Sequence, residues 1–284
     1  MPTNQTLTII DPSLSFDDFP EKHFQFKHNL SGHPLFTKDR LLQLAQKLQP
    51  VFIEYNSGGA DISQDPMTTP YTGLSLEETL INIDACESWV VLKYAEYDPD
   101  YQELLVETIR QIVPLEQRRK LGAHQLESYI FISSPRAVTP FHFDDEHNFL
   151  LQIRGSKQFH GWTTTGLGKA SAEDLERYYL GGHRNIPLRE KAETADHIFE
   201  LKAGDALHVP AHSPHWVQNG DETSISFSVT FRSHPLAQEA LIHRLNGRLR
   251  KLGLNPRPYG INATLDKTKY QTSRVLKKLF ARKR

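Results

Sequence analysis

From residue 125 onward, the sequence breaks into short runs that are rich in β-branched and aromatic residues. Gly, Pro and Asp separate these runs, and no convincing helical pattern interrupts residues 125–163. The runs are Ser128–Ser133, Phe149–Ile153, Lys157–Trp162, His197–Leu201, Ala206–Val209 and Ser224–Phe231. Short strands at this spacing are typical of an antiparallel sandwich or barrel. The sequence therefore predicts a mainly β core over residues 125–233.

The first 124 residues have a different pattern, which predicts an α/β extension packed on that core. Apolar residues at helical spacing indicate helices, and shorter apolar runs between them indicate strands. The predicted helices are Thr37–Leu48, Ser75–Ser88 and Asp98–Val113, and the predicted strands are Val51–Tyr55 and Trp89–Tyr94. Ser75 and Glu78 have the spacing of a capping box, which marks a helix start.

Two further segments interrupt or follow the β core. Residues 163–196 are a long polar insertion with one predicted helix, Ser171–Leu180, and such insertions are usually surface loops, often near a binding mouth. Residues 234–284 predict C-terminal helices, the first of which carries an apolar stripe made of Leu236, Leu241, Leu245, Leu249 and Leu252. That stripe could pack on the barrel or form a homodimer face, and the sequence leaves both open.

Charge is distributed unevenly along the chain, although the formal net charge is only −1. Eight Lys or Arg against one Asp leave residues 265–284 at +7, and the remaining 25 basic and 33 acidic residues leave residues 1–264 at −8. Apolar residues at helical spacing predict an amphipathic helix over Ser273–Arg282. It can be a solvated terminal helix, or it can attach the protein to nucleic acid or an acidic partner. No recognised DNA-binding motif accompanies it.

Cysteine usage and hydropathy indicate the cellular environment. Cys86 is the single cysteine, so it cannot form an internal disulfide, and a reducing cytoplasm is the expected location. The N-terminus lacks the basic and apolar regions of a signal peptide. No stretch approaches eighteen uninterrupted apolar residues, so we expect no membrane contact.

The residues that carry chemistry lie in two separated segments of the β core. His142 and Asp144 are two positions apart, so in a strand their side chains share one face. His215 follows 71 residues after Asp144 in the segment GDALHVPAHSPHWVQN. Two histidines and one carboxylate that leave open positions form the facial triad of non-haem Fe(II) oxygenases. Zinc accepts the same ligands, so the ligand types alone do not select the metal.

That second segment resembles the second signature of the cupin superfamily. It has the spacing G-x5-P-x4-H-x3-N, from Gly204 through Pro210 and His215 to Asn219, with His212 where a glycine is usual. The resemblance implies a double-stranded β-helix, the jelly-roll barrel of cupins, in which His215 projects into the interior. His147, His160, His208 and His212 are expected at the surface or behind the ligands.

Residues 137–162 (AVTPFHFDDEHNFLLQIRGSKQFHGW) are similar to the JmjC-type 2-oxoglutarate oxygenases, among them the asparaginyl hydroxylase that inhibits hypoxia-inducible factor. The resemblance covers roughly residues 125–233 without the insertion, and implies that His142, Asp144 and His215 bind iron. It also implies roles in holding or lining the 2-oxoglutarate site for Thr139, Lys157, Asn148 and Thr230. Thr230 stands where the family has a polar amide. Burying a lysine is costly unless an anion meets it, which agrees with the role implied for Lys157.

The resemblance implies an Fe(II)-dependent oxygenase with 2-oxoglutarate and O₂ as co-substrates. It would couple decarboxylation of 2-oxoglutarate to succinate with hydroxylation of a C–H bond, and a protein side chain is the expected prime substrate. Three alternatives stay open: the same chemistry on a small molecule, a metal-dependent cupin enzyme of another reaction class, and a non-catalytic binding module.

Overall fold

The computed structural model describes residues 8–12, 14–64, 68–165, 168–187 and 194–281. The described part of the chain contains eleven strands: β1 (Phe24–Lys27), β2 (Ile53–Ser57), β3 (Ser88–Lys93), β4 (His124–Ser133), β5 (Val138–His142), β6 (His147–Arg154), β7 (Ser156–Gly161), β8 (His197–Lys202), β9 (Asp205–Val209), β10 (His215–Asn219) and β11 (Ser224–Arg232). They form a seven-stranded sheet in the order β1-β9-β6-β11-β4-β3-β2 and a four-stranded sheet in the order β5-β10-β7-β8.

The two sheets face each other across an interior that residues of both fill. Leu150, Leu207 and Val209 of the large sheet lie in one apolar cluster with residues of the small sheet, namely Phe159, Leu201 and Val217. Neighbouring strands are antiparallel in both sheets. This is the predicted jelly-roll barrel, and the predicted mainly β fold with helices is confirmed.

Strand β11 shows how the sequence separates the two faces of the large sheet. Ile225, Phe227, Val229 and Phe231 alternate along it and belong to the large core outside the barrel. Ser224, Ser226, Ser228 and Thr230 alternate with them and point to the opposite face, toward the interior. One strand therefore gives an apolar face to the core and a hydroxyl-lined face to the barrel.

The described part of the chain has seven α-helices: α1 (Lys38–Lys47), α2 (Leu76–Ile81), α3 (Pro99–Ile112), α4 (Leu115–Leu121), α5 (Ala172–Tyr179), α6 (His234–Lys251) and α7 (Ala263–Ala281). The capping box of Ser75 and Glu78 is present at the start of α2. Helix α2 ends at Ile81, well before the predicted Ser88, because the chain turns there and then enters β3. None of the described helices is long and apolar enough to cross a membrane.

The first 124 residues are joined to the barrel through its large sheet. Strands β1 to β3 extend that sheet at its two edges. Leu44 of α1 and Ile109 of α3 are buried in the same core as Phe227 of β11. The extension therefore covers the outer face of the large sheet and leaves the small sheet uncovered by these two helices.

Helix α6 buries a face that differs from the predicted leucine stripe. Its buried residues are Ile242, His243, Asn246 and Gly247. A Cβ on Gly247 would lie 2.8 Å from Leu180 and 3.2 Å from Glu176, so α6 approaches the end of α5 closely. The first four leucines of the stripe are half-buried and Leu252 is 78% exposed. A homodimer through this stripe stays a prediction.

Candidate metal centre

Three side chains that the sequence singles out lie together at one end of the small sheet. His142 is the last residue of β5 and His215 is the first residue of β10, and these two residues are register partners. Asp144 lies two residues beyond His142. One ligand atom from each of the three lies within 4.8 Å of those from the other two, and the set is largely buried. A strand pair thus brings together His142 and His215, which are 73 positions apart.

Backbone hydrogen bonds fix which nitrogen of each histidine faces the centre. His142 Nδ1 lies 2.7 Å from the Pro140 carbonyl oxygen, and His215 Nδ1 lies 3.0 Å from that of Ser213. Because a carbonyl only accepts, each Nδ1 carries the proton and each Nε2 keeps its lone pair. The two Nε2 atoms lie 4.0 Å and 3.8 Å from the carboxylate oxygens of Asp144.

The protonation states of the three residues suit a divalent cation. Burial lowers the pKa of His142 to about 3, with a further contribution from His215, and burial also lowers the pKa of His215. Burial alone would raise the pKa of Asp144, but the Arg184 guanidinium and the two imidazoles outweigh it and hold that pKa below its usual range. At neutral pH the centre therefore offers two neutral imidazoles and one carboxylate.

Thr139 shares the face of His142 because β5 contains a bulge. His215 and Val217 are two residues apart on β10, yet their partners His142 and Thr139 are three apart on β5. The extra residue in β5 offsets the usual alternation, so both partners point to the same face. The Thr139 side chain is exposed there, at the outer edge of the small sheet.

Lys157 lies on the same face of the small sheet, on β7, with β10 between it and β5. Its register partners are Asn219 of β10 and Leu201 of β8, and Leu201 is part of the barrel interior. Lys157 is 7% exposed, and burial lowers its pKa to about 7. Among the described residues, no acceptor contacts its ammonium group. An uncompensated cation inside a barrel is costly, so the interior is suited to an anion at this point.

Asn148 and Thr230 lie on the opposite wall, as register partners on β6 and β11. Both side chains are buried. Ser228 Oγ donates to Asn148 Oδ1 at 2.6 Å, and Thr230 Oγ1 lies 3.5 Å from the Glu127 carbonyl oxygen. Their hydrogen bonds therefore stay within the large sheet, across the interior from Lys157.

The other histidines of the region lie behind the centre or on its outer side. His212 has a positive φ of 62°, and its Nε2 lies 2.8 Å from the Tyr179 hydroxyl. His160 stacks on Trp216 with ring centroids 3.9 Å apart, on the face opposite to His215. His208 packs on Phe149 and His147 packs on Phe231, and both histidines are buried beside the large core outside the barrel. The positions of His160 and His212 agree with the expected places at the surface or behind the ligands, whereas those of His147 and His208 do not.

The sequence interpretation missed Arg184, which belongs to the insertion. Its Nη1 donates to Asp144 Oδ1 in a close ion pair. From the same insertion, Tyr178 donates its hydroxyl to Asp145 Oδ1 at 2.9 Å. The insertion therefore lies against the loop that carries Asp144 and Asp145, and its place near a binding mouth stays a prediction. Residues 166–167 and 188–193 of the insertion lie outside the described residues.

Comparison with known proteins places this geometry in a family context. The family model described as a JmjC domain matches residues 105–239, which include all seven predicted site residues. A comparison with curated protein sequences found no significant match.

Two solved structures share the fold at low sequence identity. The X-ray structure of E. coli ycfD has a TM-score of 0.52 and 16% identity, and the match covers 94% of this chain and 68% of that one. A structure described as YcfD, a ribosomal oxygenase from Escherichia coli, in complex with cobalt and 2-oxoglutarate has a TM-score of 0.51 and 17% identity, with 95% and 67% covered. At such identities the likeness concerns the fold.

Proposed function

Because residues 105–239 match the family model of a JmjC domain, we propose that the protein is an oxygenase that depends on Fe(II) and 2-oxoglutarate. The observation that carries this proposal is the convergence of two imidazole Nε2 atoms and one carboxylate within 4.8 Å inside the jelly-roll barrel. The likeness in fold to an oxygenase that holds cobalt and 2-oxoglutarate supports it.

The donor set fits a divalent iron ion. Two neutral imidazoles and one carboxylate are the ligands of the facial triad, which leaves positions open for a co-substrate and O₂. His142, Asp144 and His215 would hold the metal. When bound, Fe(II) supplies the redox chemistry that couples decarboxylation of 2-oxoglutarate to succinate with hydroxylation of a C–H bond.

The barrel interior supplies the second half of the site. Lys157 would pair with the distal carboxylate of 2-oxoglutarate, and the Thr139 hydroxyl on the same face would donate a hydrogen bond to it. Asn148 and Thr230 would line the opposite wall. The ring of Phe159 stacks on His215 with centroids 4.8 Å apart, and the apolar cluster around it keeps water from the buried donors.

We propose a protein side chain as the prime substrate. In support, the solved neighbour is described as a ribosomal oxygenase. The centre lies under the edge strand β5, which the insertion and the loop at Ile62 flank, and a substrate side chain would reach the centre beside these two segments. A small-molecule substrate is the alternative, and it would be indicated if peptides failed to stimulate turnover that small metabolites did stimulate.

The proposal is tested by titrating 2-oxoglutarate anaerobically into Fe(II)-loaded protein and measuring visible charge-transfer absorption. We expect an absorption band that saturates with one equivalent of 2-oxoglutarate, and succinate by NMR after oxygen and substrate are added. Stoichiometric metal without any effect of 2-oxoglutarate would contradict the proposal and indicate another metal-dependent cupin enzyme. A protein that binds no metal would instead be a binding module.

The affinity for 2-oxoglutarate is expected to fall as the pH rises above about 7. Burial lowers the pKa of Lys157 from 10.5 to about 7, so the free site holds a charged ammonium below that pH and loses it above. Because only the charged form pairs with a carboxylate, the dissociation constant should rise by about tenfold per pH unit between pH 7.5 and 9. Calorimetry at constant metal saturation measures this slope.

The matched control for this pH dependence is Lys157→Arg. A guanidinium stays protonated across the same range, so the variant should show a flat profile, whatever its absolute affinity. An equal slope in the variant and the wild type would assign the pH dependence to another group and contradict the role of Lys157.

A further inference from the structure

Arg184 contacts the carboxylate of the metal centre from the insertion. Its guanidinium pairs with Asp144 Oδ1, and the Arg184 side chain is 40% exposed whereas that of Asp144 is 10% exposed. The pair raises the pKa of Arg184 and helps to keep Asp144 ionised. An arginine held against a metal-ligating carboxylate must influence how that carboxylate can bind a cation.

The backbone of the insertion holds Arg184 in this position. Asn185 forms an isolated bridge with His142, and the Ile186 amide donates to the Phe141 carbonyl at 3.3 Å. The Phe143 amide lies 3.4 Å from the Arg184 carbonyl oxygen. Residues 184–186 therefore run along the free edge of β5, beside the strand that carries His142.

Two further contacts tie the insertion to the same loop. The Tyr178 hydroxyl donates to Asp145 at 2.9 Å. The Tyr179 hydroxyl lies 2.8 Å from His212 Nε2, and the His212 amide donates to the Asp144 carbonyl at 2.7 Å. Asp144 is thus held at its backbone as well as at its side chain, and Arg184 is the contact that distinguishes its two oxygens.

The two oxygens of Asp144 have different surroundings. Oδ1 accepts from Arg184, whereas Oδ2 lies 3.8 Å from His215 Nε2 and accepts no hydrogen bond among the described residues. A carboxylate that gave both oxygens to a metal would occupy two coordination positions, and a co-substrate needs those that remain.

We propose that Arg184 is a positioning residue that engages Oδ1, so that Asp144 offers only Oδ2 to the metal and a position stays open for 2-oxoglutarate. This inference rests on the proposed function. It assigns the insertion a role in the metal centre, through one guanidinium.

The test compares Arg184→Met and Arg184→Lys with the wild type, using Co(II) in place of iron. In Arg184→Met, a nearby cation is lost and both oxygens become available, so the Co(II) dissociation constant should stay equal or fall by up to about tenfold. Metal-dependent 2-oxoglutarate binding should weaken by at least about tenfold, and the visible Co(II) spectrum should change. Arg184→Lys keeps one charged donor and should recover part of the 2-oxoglutarate affinity.

The matched control is Arg136→Met. Arg136 pairs with Asp221 at the surface, where both side chains are about four-fifths exposed, and its loss should leave both affinities unchanged. The decisive readout in Arg184→Met is weaker 2-oxoglutarate binding without weaker metal binding, because a merely structural role would weaken both together.

Equal weakening of metal and 2-oxoglutarate binding, or no change in either, would overturn the role of Arg184. If Arg184→Met does not fold, Arg184→Lys still tests the inference. The inference would be contradicted if this variant kept the wild-type Co(II) spectrum and both affinities while its metal-bound structure showed both oxygens of Asp144 on the metal. The proposed function itself would be refuted if the wild-type protein bound no Co(II), or if the Co(II)-loaded protein did not bind 2-oxoglutarate.

Discussion

Replacing His215 with alanine is expected to weaken metal binding by at least about 100-fold and to abolish 2-oxoglutarate turnover. His215 would supply one of the two Nε2 ligands of the proposed triad, and its Nδ1 is already engaged by the Ser213 carbonyl, so the ring is oriented for this task. The two remaining ligands, His142 and Asp144, cannot complete the triad. Calorimetry with Co(II) and succinate detection by NMR measure the two effects.

His160→Ala is the matched control for this prediction. His160 lies on β7, the neighbour of β10, but its ring stacks on Trp216 on the opposite face of the sheet. We expect metal affinity and turnover to stay near the wild-type values in this variant. His215→Gln preserves more of the packing against Phe159 and separates loss of the ligand from loss of volume. Unchanged metal binding in both His215 variants would show that the ion binds elsewhere.

The strands of the core could be predicted from the sequence because alternation and turn residues are local signals. Strand β11 carries its apolar and hydroxyl residues in strict alternation. The turn between β6 and β7 contains Gly155 at φ 70°, where a Cβ would lie 2.6 Å from the Thr223 carbonyl. Strand β1 was missed because it is four residues long and pairs with β9, about 180 residues later. Its pairing depends on the assembled sheet.

The length of the C-terminal helix also exceeds the sequence prediction. The periodicity indicated a helix over Ser273–Arg282, whereas α7 begins at Ala263. The first half of α7 buries Asp266 and Lys269, two charged residues that a hydropathy pattern assigns to solvent. Lys269 donates to the Arg257 carbonyl at 2.6 Å, which compensates its burial. Arg282 lies outside the described residues.

The residues of the candidate site also divide into those that local sequence patterns indicate and those whose position depends on the assembled fold. His142, Asp144 and His215 lie in motifs whose spacing is visible along the chain, and the structure brings them together. The position of Arg184 depends on the pairing of residues 184–186 with the edge of β5, and no local pattern indicates that contact. The face on which Thr139 lies depends on the bulge in β5. Strict alternation from His142 would place the Thr139 side chain on the opposite face of the sheet.

Lys157→Met is expected to weaken 2-oxoglutarate binding by about 100-fold, while metal affinity stays unchanged. Methionine keeps much of the length and volume of the lysine stem but removes the cation that would meet the distal carboxylate in the interior. Lys202→Met is the matched control, since Lys202 is an exposed lysine of β8 whose partner, Ser156, directly precedes Lys157. Anaerobic titration of the metal-loaded variants measures both affinities.

Lys157→Met should raise the stability of the ligand-free protein while it weakens 2-oxoglutarate binding. These two opposite effects make the test specific for the proposed role of Lys157. The pKa of Lys157 is about 7 in the folded protein against 10.5 for an ordinary lysine, so between these values the unfolded chain binds more protons than the folded one. Stability of the wild type therefore rises with pH through that window, and burial of the charge costs stability below it. Lys157→Met should lack this rise and unfold at higher denaturant than the wild type at pH 7. A variant that loses stability and 2-oxoglutarate affinity together would mean that Lys157 supports the fold, and the co-substrate would then need another anchor.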